Sequence, residues 1–327
     1  MSRKPKVLIL TNKDDITADY VVLELQKRRV GYFRFNIEDF PEKVIGTFSL
    51  GDKTPTAFFH TPKGMLNLGE VSSIWYRRPG RPAISGDIAD EGVRDFCLKE
   101  CDEFLDGIWA GFRGLWVSSP PHIFRAQNKL YQLRLANDIG FKVPKTIITS
   151  DPEKVRAFLA GIRSKAVVKA VRQGVLTVAG KEHVIFTAPI GQKDMEALSD
   201  VKYLPSIFQE FIHKNFDLRV TVIGDDLFPV QIHTDPADPS AQFDWRRGDQ
   251  EKLSYKIHQL PPSVEGLCRT IVRKMGLRFG AIDLVYAESG DYYFLEINPN
   301  GQWAWIEQRT GLTLTKSLVD LLVGGSI

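Results

Sequence analysis

Three cysteines in 327 residues, Cys97, Cys101 and Cys268, are too few and odd in number for a disulfide framework. A chain of this length buries a core without one, so a reducing compartment, the cytoplasm, is expected. No apolar run approaches the roughly 18 residues of a membrane span. The opening run Val7-Leu8-Ile9-Leu10 is also too short for a secretory signal. Charge of one sign is lacking as well. Forty-three Lys+Arg against 40 Asp+Glu leave +3, too small a surplus for the basic footprint of a nucleic-acid binder, so any polyanion bound is expected to be small. There is no internal repeat or low-complexity segment, and 43% hydrophobic with 25% charged residues excludes disorder, collagen and coiled coil as whole-chain descriptions. The length suits about two domains.

What is present begins with strand-like Val7 to Thr11, the polar loop Asn12 to Asp15, and a helical stripe at Tyr20, Val21, Leu23, Leu25 and Val30, followed by a strand over Tyr32 to Phe35. This is a Rossmann-type half, but the loop has no G-x-G-x-x-G, so no nicotinamide or flavin is expected. Strands are predicted near 47–50, 57–60 and 73–76. Val93, Phe96, Cys97, Phe104, Leu105, Ile108 and Trp109 then recur at three and four, which predicts one long amphipathic helix. Cys97 and Cys101 lie at i and i+4 on it. With no His or third Cys nearby they read as core residues rather than metal ligands. Ser118-Ser119-Pro120-Pro121 marks a boundary, and a helix over 126–138 stops at Gly140. The larger remainder alternates strands at 166–171, 206–212, 218–223, 228–233, 279–287 and 292–297 with helices near 152–163, 191–199, 262–275 and 312–322, an α/β (α+β) pattern.

Chemistry concentrates near the C-terminal end. Ala281-Ile282-Asp283-Leu284-Val285-Tyr286 and Tyr293-Phe294-Leu295-Glu296-Ile297-Asn298 flank Glu288-Ser289-Gly290-Asp291, a β-hairpin pattern. A turn centred between Ser289 and Gly290 places Asp283 directly opposite Glu296, with Asn298 on the same face. Two carboxylates opposed across apolar strands repel each other and lose solvation unless a cation lies between them. Oxygen-only donors favour a hard ion, and magnesium takes one or two carboxylates and completes its octahedron with phosphate and water. The alternative is a register one residue off, with one carboxylate in solvent.

Two further features stand out. Lys169 places a charge in the apolar strand Val167-Val168-Lys169-Ala170-Val171, where a solvent-facing lysine is the competing reading. Asp217 and Arg219, two apart on one strand face, present an acceptor and a cation to one ligand. His233 ends the strand Phe228 to Ile232 and is either a base for an attacking hydroxyl or an edge histidine. Trp303 and Trp305 are either walls of a peptide groove or packing residues.

With these motifs in order, the chain resembles an ATP-grasp carboxylate ligase from about Asn128 to Glu307. The resemblance implies an ATP-grasp fold behind an N-terminal Rossmann-like (pre-ATP-grasp) domain: 1–120, then a central subdomain 121–205 and a C-terminal subdomain 206–327 with the magnesium site. It implies that Asn128-Lys129 and Lys169 reach the ATP phosphates. Gln209-Glu210-Phe211-Ile212 would form the hinge at the adenine edge, Glu210 accepting from the exocyclic amine. Asp217 would bind ribose, Arg219 would contact the γ-phosphate, and Asp283, Glu296 and Asn298 would hold Mg²⁺. The chain departs from the pattern after Lys169, where a phosphate-covering loop usually carries several glycines. Val171-Arg172-Gln173-Gly174-Val175 has one, and Gly180 follows later.

Phe33-Arg34-Phe35-Asn36-Ile37-Glu38-Asp39-Phe40-Pro41, Trp75-Tyr76-Arg77-Arg78-Pro79, Asp244-Trp245-Arg246 and Asn298-Pro299-Asn300-Gly301-Gln302-Trp303 extend the resemblance over nearly the whole chain, to the microviridin-type peptide ligases, or graspetide synthetases. That family implies a ribosomal precursor peptide, leader plus core, as partner. Its Asp or Glu side chains would be activated by ATP as acyl phosphates and joined to Ser/Thr hydroxyls or Lys amines. Arg78, Arg219 and Arg246 are then the candidate catalytic cations that bring a carboxylate to a triphosphate, because the planar guanidinium binds a carboxylate through two parallel hydrogen bonds. The alternatives are a RimK-like ligase adding a free amino acid to a protein or peptide carboxylate, and a nucleotide-sensing protein without catalysis, against which the intact Asp283, Glu296, Asn298 and Arg219 set argues. Neither nucleic acid nor membrane is an expected partner, and a homo-oligomer, dimer or tetramer, is left open.

Overall fold

The apolar run near the N-terminus becomes a strand buried on both faces, with Val7, Leu8, Ile9 and Leu10 all without solvent exposure. That double burial is what a central strand of a parallel sheet requires. The structure, a computed structural model, describes residues 6–51, 55–62, 64–172, 174–178, 181–249 and 251–324. In chain order the elements are β1 (Lys6–Thr11), α1 (Ile16–Lys27), β2 (Gly31–Asn36), β3 (Ile45–Ser49), β4 (Thr56–Thr61), β5 (Gly64–Asn67), β6 (Ser73–Tyr76), α2 (Glu91–Ala110), β7 (Leu115–Val117), α3 (Pro120–Ala126) and α4 (Lys129–Asp138). They continue as β8 (Thr146–Thr149), α5 (Pro152–Ala160), β9 (Ala166–Lys169), β10 (Gly174–Val178), β11 (Lys181–Ile185), β12 (Ala188–Pro189), α6 (Gln192–Glu196), β13 (Ser206–Glu210), β14 (Lys214–Ile223) and β15 (Asp226–His233). The last are α7 (Pro239–Phe243), β16 (Ser254–Ile257), α8 (Pro262–Lys274), β17 (Phe279–Ala287), β18 (Tyr292–Asn298), α9 (Ala304–Thr310) and α10 (Leu314–Gly324).

Contacts divide the chain into two units. One holds the described residues up to Pro120 with Gln302–Glu307 and those from Thr313 on. The other holds those of Pro121–Gly301 with Gln308–Leu312. In the first, a parallel sheet runs β2-β1-β6-β7 and an antiparallel one β3-β4-β5. Its core centres on Phe59, whose ring lies 5.0 Å from Phe35 and 5.6 Å from Trp109 on α2. Asp15 caps α1 by accepting from the Thr17 and Ala18 N–H groups, and its other oxygen accepts from the Thr11 hydroxyl at 2.8 Å.

The second unit carries a four-stranded sheet β12-β9-β13-β8, an antiparallel five-stranded sheet β16-β15-β14-β17-β18, and the hairpin β10-β11. The helix expected over 126–138 is α4, which starts a few residues later because Asn128 caps it by accepting from the Tyr131 N–H at 3.0 Å, and α3 before it was not predicted. The helix expected near 191–199 is α6 followed by a 3₁₀ turn, Leu198–Tyr203. Strands β5, β7, β8, β10, β11, β12 and β16 were not predicted; most are short edge segments with little period-two signal. No helix among the described residues is long and apolar enough to cross a membrane.

Phe59→Ala removes a ring with no solvent exposure from the first unit's core, and is expected to lower unfolding stability by about 3–5 kcal/mol. A guanidinium titration of that unit's tryptophan fluorescence checks this.

Candidate functional site

The site grows from the hairpin β17-β18. Its tip pairs Tyr286 with Tyr292 and Leu284 with Phe294, so the turn is centred on Ser289, half a residue earlier than expected. Leu295 is then an extra residue, a β-bulge, and the register beyond it pairs Asp283 with Glu296. The opposition of the two carboxylates is therefore as read from sequence, but it is created by the bulge. Without Leu295 bulged, Asp283 would face an apolar side chain.

Each carboxylate has its own cations. Arg219 stands directly across from Asp283 on β14, and its Nη1 donates to both carboxylate oxygens at 2.7 and 2.8 Å. Gly301 leaves room for that guanidinium, since a Cβ there would come within 2.4 Å of the Ala281 Cβ and 3.0 Å of Arg219 Nη2. Glu296 lies 3.3 Å from Lys129 Nζ and 3.7 Å from Arg246 Nη1. Lys129 is positioned by an amide pairing one turn further along α4. Buried Gln132 donates to the Ile297 carbonyl at 2.8 Å and accepts from the Ile297 N–H at 3.1 Å, which also satisfies the open edge of β18. Arg246 is held by Asp244, which accepts from its Nε at 2.8 Å and Nη2 at 2.9 Å and also from the Thr187 N–H at 3.3 Å. Lys169 donates to Gln209 Oε1 at 2.7 Å across the β9-β13 pair, and Gln209 in turn donates to Thr146.

The electrostatics divide the two carboxylates. Burial pushes Asp283 upward, with the Arg219 charge opposing. Burial also pushes Glu296 upward, but the combined charge of Lys129, Arg246 and Lys169 wins and holds it at about 2. Burial lowers the Lys169 ammonium to about 8, Glu296 opposing and Lys129 adding to the shift. Asp217 is raised by burial, although both its oxygens accept from Lys214 Nζ, at 2.7 and 2.6 Å.

A cavity of about 60 Å³ is lined by Lys129, Lys169, Asp217, Arg246, Asp283 and Glu296, among others. A larger one of about 490 Å³ shares Lys129, Lys169, Arg246 and Glu296 with it and reaches Asn298 and the hairpin β10-β11. The structure thus gathers those residues around two cavities that share part of their lining, with Arg219 bonded to Asp283 and Gln209 to Lys169. At the hinge, the Glu210 N–H donates to Lys145 O and the Phe211 N–H to Lys165 O, while Ile212 has no such backbone bond among the described residues. The Glu210 side chain accepts from Ser164 at 3.2 Å, and the Phe211 ring packs 4.9 Å from Phe243.

Arg78 is in the first unit, after β6, where its carbonyl accepts from Asn12 at 2.7 Å. His233 points to the sheet face opposite Asp217 and Arg219, bonded to Gln231 at 2.8 Å and packed on Phe216, so it is an edge histidine and not a base in this site. Trp303 is fully buried in the first unit, 5.5 Å from Trp75 and beneath the Arg77 guanidinium, and is a packing residue. Cys97 lies on α2, partly buried. Sequence reasoning missed Gln132, Asp244 and Lys214 as positioning groups. Only Asp244, two residues before Arg246, carried a local signal.

The donor set suits a hard cation with a polyphosphate. Asp283, Glu296 and Asn298 offer oxygen only, and no three His, Cys, Asp or Glu side chains among the described residues form a metal cage of their own. The buried Arg219 Nε has no hydrogen-bond partner among the described residues, a donor awaiting an anion.

Comparison with known proteins gives a consistent picture. Residues 6–123 match the profile of the MvdD pre-ATP grasp domain and residues 126–322 that of the RimK-like ATP-grasp domain. A solved RiPP-associated ATP-grasp ligase of Chryseobacterium gregarium, in complex with ADP and a leader and core peptide, is 28% identical with a TM-score of 0.90, covering 99% of this chain and 98% of that one. The macrocyclase MdnC of Microcystis aeruginosa, bound to its precursor peptide MdnA, is 27% identical with a TM-score of 0.85, over 98% of this chain and 99% of that one. A probable alpha-L-glutamate ligase of Psychromonas ingrahamii is 24% identical over 61% of this chain, and the match spans 64% of its length, just under two thirds.

Lys169 yields a pH test. Its folded value of about 8 lies below the unfolded value of 10.5, so between these the unfolded chain binds more protons and stability rises with pH. Lys169→Met is expected to lose that rise, as read by urea titrations of both proteins at about pH 8 and about pH 10.5, the two ends of the window.

Proposed function

Because the chain belongs to the RimK-like ATP-grasp family, we propose that it is an ATP- and Mg²⁺-dependent ligase of the cytosol that cyclises a ribosomal precursor peptide. It activates Asp or Glu side chains and joins them to Ser/Thr hydroxyls or Lys amines. The observation that carries this is the opposed Asp283–Glu296 pair set among Lys129, Lys169, Arg219 and Arg246 at a cavity of about 490 Å³. The likeness to peptide-bound ligases over almost the whole chain supports a peptide as substrate.

The chemistry explains the crowd of cations. A carboxylate is a poor acyl donor because hydroxide leaves badly. Its oxygen therefore attacks the γ-phosphorus of ATP, the bond to the bridging oxygen breaks, and ADP departs, leaving an acyl phosphate. A hydroxyl or amine then attacks the acyl carbon, phosphate leaves, and the nucleophile's proton is released. Per bond the peptide loses one water and one ATP becomes ADP and phosphate. Asp283, Glu296 and Asn298 would hold Mg²⁺, which neutralises phosphate charge when bound. Lys129 from the start of α4 and Lys169 from the four-stranded sheet would neutralise the phosphates, and Arg219 would use its unpartnered Nε toward the transferring group. Arg246, fixed by Asp244, would orient the incoming carboxylate, and Arg78 is a second candidate for that contact. The hinge Gln209 to Ile212 would meet adenine, with the Ile212 N–H free to donate, and Asp217 would take the ribose hydroxyls.

A second reading, addition of a free amino acid to a carboxylate, is favoured by the match to the glutamate ligase and shares the whole nucleotide site. Intact mass spectrometry separates the two. A Thr/Ser- and Asp/Glu-rich peptide encoded beside this gene, incubated with enzyme, ATP and Mg²⁺, should lose about 18 Da per bond as acyl transfer closes rings. A gain equal to an amino-acid residue would establish the second reading. Glu296→Gln should keep the fold and stop ADP release, because it removes charge where the magnesium contact is placed. Near-normal turnover would sink that assignment.

A further inference from the structure

The segment after Lys169 departs from a glycine-rich phosphate cover in one charged residue, Arg172, and the structure shows where that charge goes. Arg172 lines the cavity of about 490 Å³ at the root of β10. The cavity's other cations are engaged: Lys129 with Glu296, Arg246 with Asp244 and Glu296, and Lys169 with Gln209. Arg172 has no ion pair or hydrogen-bond partner among the described residues. Val184, Ile185 and Phe186, at the end of β11 and just after it, contribute apolar residues to the lining of the same cavity. A cation in a cavity with apolar lining is complementary to a short methylene chain ending in a carboxylate. It does not suit a neutral hydroxyl, and it repels an ammonium group.

We propose that this cavity seats the acidic side chain to be activated and that Arg172 binds its carboxylate together with Arg246, which also lines the cavity; the inference rests on the peptide-ligase reading above. The Arg172 guanidinium takes the carboxylate through paired hydrogen bonds, and the methylenes lie against the apolar residues. The acceptor hydroxyl or amine is thereby excluded from the donor's seat, so the cavity distinguishes the two partners of the bond. Arg172 belongs to the chain linking the nucleotide-side lysine to the hairpin, so donor recognition and phosphate cover lie on one short segment.

The test is steady-state kinetics of Arg172→Gln and Arg172→Lys with the gene-adjacent peptide. For the glutamine variant the peptide KM should rise by about tenfold or more, the scale of a charge-assisted hydrogen bond, with the ATP KM unchanged. The lysine variant should recover part of the loss. In equilibrium binding with ADP and Mg²⁺, a peptide whose donor Asp and Glu are changed to Asn and Gln should bind wild type more weakly by the same factor. It should bind Arg172→Gln no more weakly than the unchanged peptide does. An unmoved peptide KM overturns the proposal, and so does a raised ATP KM with the peptide KM constant, which would make Arg172 a phosphate contact. If wild type itself performs no ATP-dependent dehydration, the ligase reading has failed instead, and the inference with it.

Discussion

Two carboxylates facing each other across adjacent antiparallel strands are the constraint around which the second unit is organised. Asp283 and Glu296 are both largely withdrawn from solvent, and like charges so placed oppose folding unless cations answer them. Every neighbouring element supplies one: Arg219 from β14, Lys129 from the first turn of α4, Arg246 from the segment after α7, and Lys169 from β9. The figure of about 3–5 kcal/mol for removing one partner of a buried pair applies to Arg219 and Asp283, the closest and most buried of these contacts. The two carboxylates differ because their cations do. Asp283 has one guanidinium at close range, and burial still raises it. Glu296 faces three positive charges and is held at about 2.

The unequal distances suggest a division of labour. Arg219 binds both oxygens of Asp283 at 2.7 and 2.8 Å and is locked, whereas Lys129 and Arg246 approach Glu296 at 3.3 and 3.7 Å. A polyphosphate entering with its own cation would take over the longer contacts at little loss and leave the short one intact. Arg246 would still not be set loose, because its hydrogen bonds to Asp244 are shorter than its contact to Glu296. The site is thus assembled in advance, with charges that can exchange partners without moving backbone, which is what electrostatic preorganisation requires.

What sequence conveyed was local. Strand β17 coincides with its predicted range, 279–287, because nine residues of it alternate or run apolar between a glycine-containing segment and a turn. The opposition of Asp283 and Glu296 was legible from hairpin symmetry, yet by a compensation: the turn centre was misplaced by half a residue and the Leu295 bulge restored the pairing. A bulge leaves no mark in composition. Gln132 was invisible for a different reason, since its partner Ile297 is 165 residues away and one glutamine on a helix looks like any other. Trp303 was ambiguous for the same cause. Its burial depends on Trp75, far away in sequence, and no local pattern announces that the chain after β18 returns to the first unit. His233 was a matter of face: strand alternation puts it opposite Arg219, a distinction that needed the β14-β15 register.

The single glycine after Lys169 is explained by the same logic. A glycine-rich cover is flexible and must be ordered at an entropic cost each time it closes, roughly 1–2 kcal/mol per residue fixed. Here five residue pairs, from Gly174–Ile185 to Val178–Lys181, already tie the segment into a hairpin, so that flexibility is not needed. Among the described residues of this segment, glycine is demanded at the root, where a Cβ on residue 174 would come within 2.6 Å of the Ile185 Cβ. Two residues before it the chain carries a side chain with chemistry of its own, Arg172. A side chain rooted beside a ladder loses less freedom on binding than one in a free loop, so a charge there recognises its partner at a smaller ordering cost.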